Sequence, residues 1–326
     1  MKGNIVKKTS LKIASAVAIA ALAFTGVNAT AANAADPKKI YALGGTDPFF
    51  TVVKNGFDAA KAAIEADGHK ATWLAIKDWS NTGPDMNKIL KTALDAGADA
   101  IATPIWVPAT QNPAIKAAVA GGTPVILYNT GITERKKVGA LAYYGSDEFP
   151  AGKAAGAYFK SLKVKHILCA NMDPGAVNHQ QRCAGVKAGA SGVKYTELKI
   201  DVTKFKDATA VANAVKGALA KDKTIDAVMG TSNGDAVMSG IKAAGSKAKA
   251  GTFDMTVPLI DAVIAGNASV LVDQQGWLQA FLSTTTAWYY AAYGILPATP
   301  DVLTGPALIT KKNAAAVKVG VKNGQR

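Results

Sequence analysis

From Lys39 onward the hydrophobic positions follow two alternating rhythms. Short, nearly all-apolar runs such as KIYAL (39–43), DAIATPI (99–105), PVILYN (124–129) and DAVMGTS (226–232) form one of them. Between them lie longer stretches with an apolar residue at every third or fourth position. Val53, Phe57, Ala60 and Ile64 mark one such stretch, and Met86, Ile89, Leu90, Ala93 and Leu94 mark another, with Gly97 as its stop. The short runs predict strands buried on both faces, and the longer stretches predict amphipathic helices. The series runs to GALAYYG (139–145), passes Ser146 and Asp147, and restarts at FPAGKAAGAYFKSL (149–162). Two such series predict an α/β protein with two doubly wound parallel-sheet lobes. No Pro/Ser-rich tether separates the halves, so the crossings between them are expected to be short and ordered.

The first residues break this pattern. A basic start, MKGNIVKKTSLK, leads into the apolar IASAVAIAALAFTGV and then ATAANAAD. The apolar run is too short for a span and ends in small residues, with Ala32-Asn33-Ala34 ahead of Ala35. This reads as a cleaved export signal over residues 1–34, with no lipid-attachment cysteine behind it. The mature protein is expected outside the cytoplasmic membrane, in the periplasm. Losing four leader lysines lowers the net charge from +14 to +10. The remaining lysines are scattered at surface spacing without an Arg-rich run, which argues for a solvated basic surface and against nucleic acid.

A second uncharged run, 274–300, is long enough to span a membrane. It carries Gln279, Ser283 and three threonines, and its large residues Leu278, Phe281, Leu282, Trp288 and Tyr289 recur at helical spacing. It reads as a helix buried between layers. The two cysteines, Cys169 and Cys183, lie one strand-to-helix turn apart in an exported chain. They are either a disulfide or two small buried hydrophobes.

In doubly wound sheets, ligands sit outside the carboxyl ends of the strands. The residues there are Asp47, Phe49 and Phe50; Thr103 and Trp106; Asn129 and Thr130; Asn171, Asp173, Asn178, His179 and Gln180; Ser232, Asn233 and Asp235; Asp254; and Asp273 with Gln274. Carboxylates and amides suit a ligand with many hydroxyls, and aromatic rings suit the apolar face of a sugar ring. The shortage of Arg and Lys disfavours phosphate. Gly44-Gly45 has the wrong spacing for a dinucleotide fingerprint, and there is no Walker loop or nucleophile elbow. Of the three histidines, His69 reads as a solvated turn residue, His166 opens a strand, and only His179 lies at a strand end. No metal-ligand spacing occurs. No enzyme, metal or cofactor is expected.

TDPFF (46–50), PVILYNT, YYGSD, QQRCAG, SNGDAVMSGIKAAG, TFD and VDQQG, in this order and spacing, resemble the type I periplasmic sugar-binding proteins, the solute receptors of bacterial ABC importers. The likeness is to their ribose-binding branch and covers the mature chain. It implies two lobes joined by a three-crossing hinge, with residues 36–146 plus 275–305 in one and 147–274 plus 306–326 in the other. It implies a monomeric receptor that closes on a monosaccharide or polyol and delivers it to a membrane permease, with a chemoreceptor as a further partner. An autoinducer is a rival ligand. A repressor sharing these lobes would begin with a helix-turn-helix rather than an export signal.

By the same likeness, Asp47, Asp254 and Gln274 would bond sugar hydroxyls, and Phe49 and Phe50 would cover one side of the ring. Phe50 also fits a residue packing inward at a helix start. Thr103 stands where the family often has Asn. Asn129 and Thr130 stand where ribose binders have Asp-Arg, and Gln180 stands where many have Arg; both are departures. Arg182 matches an Arg that is more often structural, and Asn233 or Asp235 matches a polar residue at a helix head. Trp106 is the preferred second stacking ring over Trp79, and Tyr143 and Tyr144 are expected to pack at a crossing. The cysteine pair looks like that of members in which it is bridged.

Overall fold

The apolar runs become strands, and the amphipathic stretches become the helices that cover them. The computed structural model describes residues 36–326; the export signal expected over 1–34 lies outside the described residues. The first series contributes β1 (Lys39–Gly44), α1 (Pro48–Ala66), β2 (Lys70–Ala75), α2 (Thr82–Asp95), β3 (Ala100–Thr103), α3 (Pro108–Ala120), β4 (Val125–Asn129), α4 (Arg135–Val138) and β5 (Ala142–Ser146). The second contributes α5 (Glu148–Ser161), β6 (His166–Asn171), α6 (Val177–Gly189), β7 (Lys194–Lys199), a 3-10 turn (Val202–Lys204), α7 (Ala208–Lys221), β8 (Ala227–Gly230), α8 (Gly234–Ala243), β9 (Lys249–Phe253), α9 (Val257–Ala265) and β10 (Val270–Asp273). The chain then adds α10 (Gly276–Tyr293), β11 (Asp301–Gly305), β12 (Ala307–Ile309) and α11 (Ala314–Lys322).

The strands form two six-stranded sheets, ordered β11-β5-β4-β3-β1-β2 and β12-β10-β9-β8-β6-β7. The chain passes between the sheets three times: after β5, after β10, and between β11 and β12. The final two strands have no counterpart in the sequence reading, since β11 mixes polar and apolar residues and β12 is only three residues long. β11 extends the first sheet in parallel, whereas β12 pairs antiparallel with β10. The second sheet is therefore not wholly parallel.

Local chemistry sets where the cleft residues land. Asp47 is the N-cap of α1, its carboxylate accepting from Phe50 N at 2.9 Å, and Pro48 opens the helix. Phe49 and Phe50 thus lie in the first helical turn rather than in a loop. The uncharged run became α10, which packs on α1 and crosses β3, β4 and β5, burying Gln279, Ser283, Thr284 and Trp288. Among the described residues no helix is long and apolar enough to cross a membrane. His69 is not a solvated turn residue: its ring lies 6.2 Å from Trp288 and accepts from Lys38 N at 3.1 Å. Buried His166 is held between the Thr196 and Thr224 hydroxyls, each at 2.8 Å. Cys169 on β6 and Cys183 on α6 are bonded, with Cα atoms 5.9 Å apart.

Candidate functional site

The carboxyl ends of both sheets face one cleft. It is lined by Asp47, Phe49, Phe50, Trp79, Trp106, Asn129, Asp173, Asn178, His179, Arg182, Phe205, Ser232, Asp254 and Gln274. Backbone geometry aims two of these residues. Among the described residues, four of the five non-glycine residues with positive φ are at strand ends or crossings: Asn129 and Asp254 in the lining, and Asn233 and Gln275 beside it. Asn and Asp tolerate this left-handed conformation better than most side chains.

One wall is aromatic. Phe50 is buried, with ring centroids 5.4 Å from Phe49, 5.4 Å from Trp106 and 6.0 Å from Trp79. Trp79 and Trp106 lie 4.8 Å apart, and Phe205 reaches Trp79 from the other sheet at 5.7 Å. Phe49 is only half-buried. It rests on Gly276, where an added Cβ would fall 2.9 Å from its ring. Phe50 therefore does the core packing of a helix start, while Phe49 offers its exposed part to the cleft.

The polar wall is continuous with all three crossings. Gln274, at the second crossing, donates Nε2 to Asp254 and accepts at Oε1 from Arg182 Nη2 at 2.7 Å. Arg182 forms a buried two-pronged pair with Glu148, just past the first crossing, at 2.7 and 2.9 Å. Its Nη1 donates to Thr231 O at 2.8 Å, and its guanidinium lies 4.3 Å from the Phe253 ring. The Gln274 carbonyl accepts from Thr304 Oγ1 at 2.8 Å, beside the third crossing, and from Gln279 Nε2 at 2.9 Å. Gln279 Oε1 in turn accepts from Asn129 Nδ2 at 3.3 Å. Tyr143 packs at the first crossing, donating to the Asn129 and Ser146 carbonyls.

The cleft carries negative charge. Burial pushes the Asp47 carboxyl up to about 6, with the facing Asp254 adding to the rise, and burial also raises Asp173 and Asp254. His179 is held neutral: burial and then the Arg182 charge push its pKa well below the usual value. His179 Nδ1 shares a hydrogen bond of 2.7 Å with Thr231 Oγ1, which also lies 3.2 Å from Ala170 O. Trp79 Nε1 and Asn178 Oδ1 are buried without a protein hydrogen-bond partner.

Of the residues expected from sequence, Asp47, Phe49, Phe50, Trp106, Asn129, Asp254 and Gln274 come together here. Five do not. Gln180 is on the exposed face of α6, donating to Pro174 O at 2.7 Å, because the helix turns His179 and Arg182 inward instead. Thr103 is buried, donating to Pro104 O at 3.2 Å. Thr130 is buried beneath Asn129 and donates to its Oδ1 at 3.1 Å. Asn233 is turned to Phe205 O, and Asp235 is exposed, accepting from Thr256 Oγ1 at 2.9 Å. Ser232 is the residue of that segment that lines the cleft. Sequence reasoning gathered Asp173, Asn178 and His179 as strand-end residues without choosing them. It missed Phe205, which lies well beyond β7 in VTKFKDA and carries no strand-end signal.

Residues 40–294 match the family model for a periplasmic binding protein domain. The chain belongs to this family. It is 31% identical to a carbohydrate transporter from Acidothermus cellulolyticus solved in complex with myo-inositol, with a TM-score of 0.82 over 89% of this chain and 100% of that one. A glucose-galactose binding protein from Geobacillus stearothermophilus shares the fold at 20% identity, with a TM-score of 0.73 over 85% of this chain and 99% of the other. A xylose/arabinose-binding protein from Sulfolobus acidocaldarius is 24% identical over 287 residues, which is 82% of this chain and 69% of the relative. The two-lobed α/β architecture is that of the family.

Proposed function

We propose that the protein is a solute receptor that closes its two lobes on a neutral polyhydroxylated ring, a cyclitol such as myo-inositol or an aldose. The observation that carries this reading is the composition of the cleft. Aromatic rings lie on one side, carboxyl and amide groups on the other, and a buried indole N–H and amide oxygen have no protein partner. A ring bearing several hydroxyls satisfies such a set, and each hydroxyl left unmatched costs about 1–3 kcal/mol. The arginine lining the cleft is committed to Glu148, Thr231 and Gln274, and the Lys206 ammonium at the mouth is bonded to Lys77 O and Thr46 Oγ1, so sugar acids and phosphates meet three carboxyl groups and no uncommitted cation among the lining residues. Asn129, bonded to Trp106 Nε1 at 3.0 Å, Thr130 and Gln279, stands where ribose binders use a charged pair, which favours another ring over ribose.

The mechanical units are residues 36–146 plus 275–305 and 147–274 plus 306–326. Closure follows because the ligand contacts both lobes only when they are together. Release occurs to a membrane permease, with the mature chain beginning at Ala35 outside the cytoplasmic membrane. A thermal-shift screen of cyclitols, pentoses, hexoses, sugar acids and amino acids tests the reading. A ligand at 100 times its Kd adds about 2.7 kcal/mol. Neutral rings are expected to raise Tm and sugar acids to leave it unchanged; a response to acids alone defeats the reading.

A further inference from the structure

Lys206 follows Phe205 in the segment between the 3-10 turn and α7, on the side of the second sheet. Its ammonium crosses the cleft. Nζ donates to Lys77 O at 2.6 Å and to Thr46 Oγ1 at 3.2 Å. Thr46 follows β1 and Lys77 follows β2, both in the first sheet. The receiving turn is pinned, since Thr46 Oγ1 itself donates to Ile76 O at 3.1 Å.

The donor segment is equally fixed on its own lobe. Asp201 accepts from Thr203 N at 2.9 Å, Asp207 caps α7 through Ala210 N at 2.9 Å, and Asn233 donates to Phe205 O. Seven residues, 201–207, thus present a ring to the cleft and a cation to the opposite lobe. Neither Lys206 hydrogen bond requires the segment to refold. Both require only that the lobes be together.

We infer that Lys206 is a closure latch, a positioning residue that holds the closed lobes together without touching the ligand. Its bonds span the lobes, so they break whenever the cleft opens. A bound ligand leaves only through an open cleft, so the latch acts on dissociation rather than capture. The ammonium also faces Asp47 and Asp78 at the cleft mouth and offsets part of the negative charge there. This inference rests on the receptor reading above.

Stopped-flow tryptophan fluorescence tests it, with Trp79 and Trp106 as reporters and myo-inositol, D-xylose and D-allose as probes. Lys206→Met is expected to raise the dissociation rate about five- to tenfold, the size of a charge-assisted hydrogen bond at an exposed site. The association rate should change less than about twofold. Lys206→Arg should restore slow dissociation, and the ligand-free Tm should be unaltered in both variants, because Lys206 is exposed on its own lobe. Unchanged dissociation in Lys206→Met, or a loss traceable to a lowered ligand-free Tm, overturns the latch. If the wild-type chain binds none of the probes, the receptor reading fails separately. The latch is then judged by spin labels on the two lobes of the ligand-free chain: a longer distance distribution in Lys206→Met supports it, and identical distributions overturn it.

Discussion

Truncating Asp254 to Ala is the sharpest single perturbation of the cleft. Its carboxylate accepts from Gln274 Nε2 and from Ser232 Oγ, the latter at 3.3 Å, and its left-handed backbone places it at the end of β9. Removing it withdraws two acceptor oxygens from the ligand and frees the Gln274 amide that the Arg182–Glu148 pair positions. A hydrogen bond to a charged group is worth about 1.5–3 kcal/mol, so losing one to a ligand hydroxyl weakens binding by roughly 10- to 150-fold. The ligand-free fold loses much less. Burial raises the Asp254 pKa, so its charge is held at a cost that truncation relieves. That relief offsets about 1 kcal/mol of strain from Ala in a left-handed conformation. Calorimetric titration with the tightest ring from the screen, together with ligand-free melting, separates the two effects. Asp235→Ala is the control, since that carboxylate is exposed, accepts from Thr256 Oγ1 and is not among the residues that surround Phe50 and Gln274. An Asp254→Ala affinity within twofold of wild type, at unchanged Tm, removes Asp254 from the site and refutes the reasoning.

Other outcomes follow from the same geometry. The folded pKa of Asp47 is raised from 3.8 to about 6, so the folded chain holds its proton longer than the unfolded chain does. Ligand-free stability therefore declines as pH rises through that interval, by up to about 3 kcal/mol. Asp47→Asn, which keeps the helix cap, should melt increasingly above wild type as pH goes from 4 to 7; a pH-independent difference contradicts this. Gln279→Leu cuts the link between Asn129 and the Gln274 carbonyl and should weaken ligand binding about tenfold, read by calorimetry. An equal Kd would show that the link does not matter. Replacing both Cys169 and Cys183 by Ala should cost about 3 kcal/mol in denaturant unfolding, given their separation of 14 residues, and a midpoint within error of wild type would show otherwise.

Periodicity carried most of the fold because the central strands are buried on both faces and most helices on one, and both arrangements write directly into hydrophobic spacing. It failed where burial is partial. β11 and β12 lie at sheet edges with half-exposed sequences, so they look like loop. Strand ends likewise located Asp47, Asn129, Asp254 and Gln274, since doubly wound topology fixes that edge. Helix phase decided the rest. One step along α6 separates exposed Gln180 from inward His179, and one step ahead of α8 separates Ser232 from Asn233. Such steps depend on cap geometry, including the positive φ of Asn233, which residue type alone does not fix. Phe205 enters the cleft from a 3-10 turn whose placement is purely tertiary.

Calorimetric titration of the chain from Ala35 with myo-inositol, flanked by D-xylose, D-allose and D-glucuronate, bears most directly on the receptor reading. The account predicts one site per chain, saturable binding of a neutral ring with Kd near or below about 1 μM, and no heat from the acid. Absence of binding by every neutral ring at millimolar concentration, or tight binding of the acid, would contradict it.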